Sequence, residues 1–157
     1  MTLIGISGHQ DLPAEDVAEI RQRMRDHISR ADDPQGISSL AAGADQLFAE
    51  ELLAAGASLH AVVPAADYES AFDDEASRAH YRKLLSRAAS VERLNFDTST
   101  EDAYWAAGRR VVDRADELLA VWDGQPARGL GGTADVVDYA RARDKPVTVI
   151  WPDGAQR

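Results

Sequence analysis

Three glycine-bearing stretches hold most of the residues that could do chemistry. The first is Gly5-Ile6-Ser7-Gly8-His9-Gln10-Asp11. Gly8 has no side chain in the way of a ligand, so the backbone can come close to one. His9 beside it can donate to a phosphate or a hydroxyl, with Gln10 next in line. The same residues also suit a tight turn in which His9 or Asp11 satisfies backbone groups. The second stretch is Leu40-Ala41-Ala42-Gly43-Ala44-Asp45. Small residues entering a helix expose free backbone amides, and these with the helix dipole make an anion site. Close packing of helix on sheet, with Asp45 favouring the first turn, explains the same residues without a ligand.

The third stretch runs from Trp122-Asp123-Gly124 through Arg128-Gly129-Leu130-Gly131-Gly132-Thr133-Ala134-Asp135. It follows a buried apolar run and opens a helical one, the context in which a glycine-rich loop wraps a phosphate. Thr133 can cap that helix or offer its hydroxyl. No GK[ST] follows the glycines, so this is not a Walker loop. Arg109 and Arg110, preceded by Gly108, lie on the helix before the buried run, and one of them could reach an anionic ligand with its planar fork. Trp105, Trp122 and Trp151 suit packing at strand ends better than stacking on a base. The acids between positions 67 and 75 read as a solvated helix start. They lack the ligand spacing of a metal site, and no cofactor is expected.

The elements that must position these residues alternate between strand and helix. Strands are expected at 3–7, 37–40, 59–63, 91–94, 118–122 and 147–151. Helices are expected from Pro13 with Val17, Ile20, Met24 and Ile28 inward, then with Leu47, Phe48, Leu52 and Leu53 inward up to a cap at Gly56. Further helices are expected within 67–89, with Phe72, Ala76, Leu84 and Leu85 inward, at 103–115 and at 133–143. Asp33-Pro34-Gln35-Gly36 reads as a helix stop. Right-handed crossovers between parallel strands then give an α/β fold: a doubly wound, mainly parallel, Rossmann-like sheet in a single three-layer domain. Ligands of such sheets bind beyond the carboxyl ends of the strands.

The chain has 157 residues, 45% of them apolar, and no cysteine, which excludes disulfides and thiolate chemistry. The start of the chain has neither the basic residues nor the apolar core of a signal peptide. No run approaches the roughly 20 apolar residues of a membrane span. A cytoplasmic protein with no membrane partner is expected. The formal charge of -10 repels a nucleic-acid backbone, so no nucleic-acid partner is expected either.

Taken together, Gly8-His9, Ala42-Gly43-Ala44-Asp45, Ala115-Asp116 through Trp122-Asp123-Gly124, Gly131-Gly132-Thr133 and the final run from Lys145 to Ile150 resemble the SLOG superfamily. That group joins the DNA-processing Smf/DprA proteins with the LOG proteins. The resemblance covers nearly the whole chain and implies a nucleotide or nucleotide-derived ligand held by these loops. It is also compatible with a homodimer paired through surface helices. LOG enzymes carry PGGxGTxxE with a catalytic glutamate. Here that position is Val136, the proline position is Arg128, and Asp135 falls one place early. Valine can move no proton. The reading is a sensor or ligand-binding protein. The alternative is an N-glycosidic hydrolase of a nucleoside monophosphate, with Asp135 or Asp123 as its carboxylate.

Overall fold

The computed structural model describes residues 1–127 and 129–156. Six strands alternate with five α-helices among them: β1 (Thr2–Gly8), α1 (Val17–Arg30), β2 (Pro34–Ser38), α2 (Ala44–Ala54), β3 (Ser58–Val63), α3 (Glu75–Ser86), β4 (Ser90–Arg93), α4 (Glu101–Arg114), β5 (Glu117–Val121), α5 (Thr133–Ala142) and β6 (Val147–Ile150). The strands form one sheet in the order β4-β3-β2-β1-β5-β6, and each neighbouring pair is parallel.

The side chains of a strand alternate between two faces, and here both faces are apolar because helices cover both. Ile4, Ile6, Leu119 and Val121 point to one side, where they meet Ile20, Met24 and Ile28 of α1, Phe48 and Leu52 of α2, and Tyr81 and Leu84 of α3. Leu3 and Ile37 point to the other side, against Ala107 and Val111 of α4. Leu118 and Ala120 meet Val112 of α4 with Val136, Val137 and Ala140 of α5. The result is the three-layer, Rossmann-like arrangement expected from the alternation. No helix among the described residues is long and apolar enough to cross a membrane.

The second strand departs from expectation. It begins at Pro34 and ends at Ser38, so the stop signal at 33–36 already contains the strand's start. Proline is tolerated at the first residue of a strand, and Asp33 makes the preceding bend with φ of 44°. Leu40, expected within the strand, has φ of 58° and turns the chain towards α2.

Gly36 also has a packing reason to be glycine. A Cβ there would sit 2.4 Å from Leu52 Cδ2 and 2.8 Å from Phe48 Cε2, so α2 rests directly on the bare strand. Overpacking of this kind costs about 1–3 kcal/mol. Gly36→Ala is therefore expected to lower the urea unfolding midpoint, despite the lower unfolded-chain entropy of alanine. An unchanged or raised midpoint would show that α2 can lift off this strand at little cost.

Candidate functional site

The chain starts at β1, steps outward through β2 and β3 to β4, and then crosses back to place β5 on the other side of β1. Winding reverses between β1 and β5, and a doubly wound sheet opens a crevice beyond the carboxyl ends of its strands at that point. A pocket of about 770 Å³ lies there. Gly8, His9 and Gln10 line it from the end of β1, Ala42, Gly43 and Asp45 from the start of α2, and Gly131, Gly132 and Thr133 from the start of α5. Nine of the candidate ligand-binding residues thus share one cavity.

The others stand elsewhere. Ala44 is fully buried, and its amide donates to the His9 carbonyl. Arg109 lays its guanidinium over the Trp105 ring, 5.2 Å from the centroid, and is not part of the pocket lining. Gly124 turns the chain with φ of 81°, also outside the lining. Asp123 stands behind His9: its Oδ1 accepts from the Gln125 amide at 2.9 Å and lies 3.2 Å from His9 Nε2. Arg128 lies outside the described residues.

His9 joins the elements around it. Its amide donates to the Val121 carbonyl at the end of β5, and its carbonyl accepts from Ala44 at the start of α2. Its ring meets Trp151 edge-on at 5.4 Å, and Nε2 accepts from the Asp123 amide at 3.1 Å.

The glycines at the helix starts are dictated by space and backbone. Gly43 has φ of 82°, and a Cβ on it would lie 2.3 Å from the Gln10 carbonyl oxygen. Gly131 has φ of 86°, and a Cβ there would lie 2.8 Å from the Trp105 amide nitrogen. Asp135 steadies this second loop by accepting from the Gly131 amide at 3.1 Å. Gly43 and Gly132 occupy the N-cap positions of α2 and α5, and neither helix has a capping side chain. In contrast, Asp74 caps α3 through the Ser77 amide, and Thr100 caps α4 through the Ala103 amide. The two helices that begin in glycine loops keep their first amides clear of side chains, and both begin at the pocket.

Asp45 is the most perturbed acid here. It is only 7% exposed, and burial pushes its carboxyl up to about 7, against smaller opposing contributions from the Ala41 amide and the Ser38 hydroxyl. Close to it, the Tyr68 phenol is raised well above its ordinary value, mainly by burial and then by the Asp45 charge.

The sequence reading missed the far wall of the pocket. Tyr68, Phe72, Asp73, Asp74 and Ser77 line it from the segment after β3, and Glu101 and Tyr104 line it from α4. The acidic stretch does lead into an exposed helix start, with Asp74 capping α3, but two of its acids, Asp73 and Asp74, also line the cavity. A usable signal was present, because in such a sheet the segment leaving every strand's carboxyl end faces the crevice, and β3 ends just before Pro64. Val136 also lines the cavity, where the LOG pattern has glutamate, while Asp135 and Asp123 are engaged as described and are not part of the lining.

The shift at Asp45 has a sign that can be measured. Its pKa in the folded protein, about 7, lies above its ordinary 3.8. The stability linked to it is therefore fully present below about pH 4 and is lost as pH rises through 7. Asp45→Asn removes this dependence, so the variant should gain on the wild type between pH 4 and 8, by an amount on the order of a few kcal/mol. Urea titrations of both proteins across that range measure the difference. A gap that stays constant with pH would mean that the carboxyl ionises in its usual range.

Comparison with solved structures gives three informative neighbours. DNA processing protein A from Helicobacter pylori, a structure described for its single-stranded DNA binding mode, superposes with a TM-score of 0.71 at 14% identity over 99% of this chain and 68% of its own. DprA from Streptococcus pneumoniae gives 0.72 at 12% identity over 98% of this chain and 52% of its own. TM1055, a structural genomics target, gives 0.61 at 14% identity over 94% of this chain and 72% of its own. No protein-family model matches the sequence, and no curated protein matches it. The expectation of no nucleic-acid partner is corrected by the first neighbour, since a protein with this fold binds single-stranded DNA. The physical reason is that net charge sums over the whole surface, whereas strand binding uses a local groove and base stacking. By its sheet and its helix order, the chain has the Rossmann-like fold seen in the DNA processing A proteins.

Proposed function

We propose that the protein binds a nucleotide or nucleotide-derived small molecule in this pocket and recognises it without turning it over. The observation that carries the reading is the convergence of α2 and α5, neither capped by a side chain, on one cavity at the β1–β5 switch point. Each helix start presents amides and about half a positive charge, the means by which proteins without a lysine loop hold phosphate. The volume falls in the range of about 300–1,000 Å³ typical of small-molecule sites.

Asp45 stands in the first turn of α2, where a full negative charge would oppose an anion. Burial pushes its carboxyl up to about 7, which lessens that opposition. The single-stranded DNA bound by the Helicobacter pylori neighbour is itself a chain of nucleotides, which agrees with this ligand chemistry. Recognition is favoured over turnover because the side chain at position 136 is a valine in the cavity wall, and a valine supplies neither an acid nor a base.

Thr133→Val tests the site with little change of shape. The residue is 7% exposed and lines the pocket. Loss of one hydroxyl hydrogen bond, about 1 kcal/mol, should weaken the tightest-binding member of a nucleotide panel by about fivefold in calorimetry. The same panel should release no free base on incubation. Unchanged affinity in the variant would move the ligand away from α5, and base release would replace recognition with hydrolysis.

A further inference from the structure

The far wall of the pocket has a chemistry of its own. Among the described residues, the large apolar side chains left exposed are Met1, Val91, Tyr104 and Leu130. Two of them, Tyr104 and Leu130, line this pocket. Scattered exposed apolar groups need no explanation, but two at the rim of one cavity do.

The backbone explains how they meet. A Cβ on Gly129 would lie 2.6 Å from Glu101 Oε1, and one on Gly131 would lie 2.8 Å from the Trp105 amide nitrogen. Leu130 is therefore carried past the first turn of α4, the turn that also presents Tyr104. Glu101 and Tyr104 are three residues apart and share a helix face. Below them, the Tyr104 ring meets the buried Tyr68 at 6.2 Å, and Tyr68 meets Phe72 at 5.3 Å and Tyr81 at 5.4 Å. These edge-on contacts back the Tyr104 ring from beneath.

The polar groups at this end are acceptors. Asp73 and Glu101 line the wall with Tyr104, and no lysine or arginine among the described residues does. Carboxylates accept from the N–H groups on a base edge, and they repel phosphate. The anion thus belongs at the glycine end, and a flat heterocycle with N–H donors belongs here.

We infer that the rim formed by Tyr104 and Leu130 is a nucleobase-stacking subsite, with Tyr104 as the stacking face and Glu101 as an acceptor for the base's exocyclic amine. The inference rests on the nucleotide reading above and adds the orientation of the ligand: base towards α4, phosphate towards α2 and α5. The chemistry recognised is an amine-bearing nucleobase on a sugar phosphate, whether free or part of a single strand.

The experiment titrates the wild-type protein, Tyr104→Ala and Tyr104→Phe with adenosine monophosphate, ribose 5-phosphate and a short oligodeoxyadenylate, with a thermal melt to confirm that each variant is folded. Base–aromatic stacking contributes about five- to hundredfold in affinity. Tyr104→Ala should therefore weaken the monophosphate by at least about fivefold and leave ribose 5-phosphate unchanged, while Tyr104→Phe stays within about twofold of wild type. If only the oligonucleotide shows the Tyr104-dependent loss, the subsite stands and its base comes from a strand. Equal weakening of ribose 5-phosphate, or no weakening of any base-bearing ligand, overturns the subsite. If ribose 5-phosphate binds as tightly as adenosine monophosphate, only the subsite falls. If none of the three probes binds wild-type protein, the nucleotide reading falls with it.

Discussion

The backbone of His9 is the point on which the site depends. One residue past the end of β1, its amide closes onto β5 and its carbonyl holds the first amide of α2. Neither contact could form around a bulkier neighbour, since a Cβ on Gly8 would fall 2.5 Å from that of Ala44 and 2.9 Å from that of Val121. The bare glycine lets the helix start sit directly on the strand end, and the histidine after it links the two halves of the sheet at the point where winding reverses. Once those three elements are fixed, the loops leaving β2 and β5 open towards the same space. The imidazole, held by the Asp123 amide and the edge of Trp151, becomes a rigid part of the pocket wall.

What could be read from the sequence, and what could not, follows from this construction. Strand and helix order was readable because each strand is buried on both faces and each helix on one, so apolar runs alternate with apolar stripes. The start of β2 was misplaced by three residues because its first part, Pro34-Gln35-Gly36, is written in turn residues. Its glycine is there for the contact with Phe48 and Leu52, which no local pattern records. The glycine loops stood out because φ values of 82° at Gly43 and 86° at Gly131 demand that residue type. The far wall did not, because tyrosines and carboxylates are common on helix surfaces. Only the sheet topology brings Tyr68, Asp73 and Tyr104 to the same cavity as Gly43. Arg109 shows the converse: its type suggested a ligand, but the position of its helix turns it onto Trp105.

The distribution of caps and charges gives the pocket a direction. Four helices begin around it, and a helix start needs acceptors for its first amides. In α3 and α4 the protein supplies them itself, through Asp74 and Thr100, and those helices lie at the acidic, aromatic end. In α2 and α5 it places glycine at the cap instead, and the acids that follow are shifted by burial or directed elsewhere. Asp45 is buried until its carboxyl titrates near 7, and Asp135 turns back to the Gly131 amide. Burying a carboxyl without a cation is costly, and at α2 this cost is tolerated beside an uncapped helix. The two features act in one direction, since each lessens negative charge at the helix starts of a protein whose net charge is -10. Net charge and local charge are thus separate quantities here: carboxylates at one end of the cavity and two helix starts without a capping side chain at the other suit a ligand that is itself polar along its length, anionic at one end and a hydrogen-bond donor at the other.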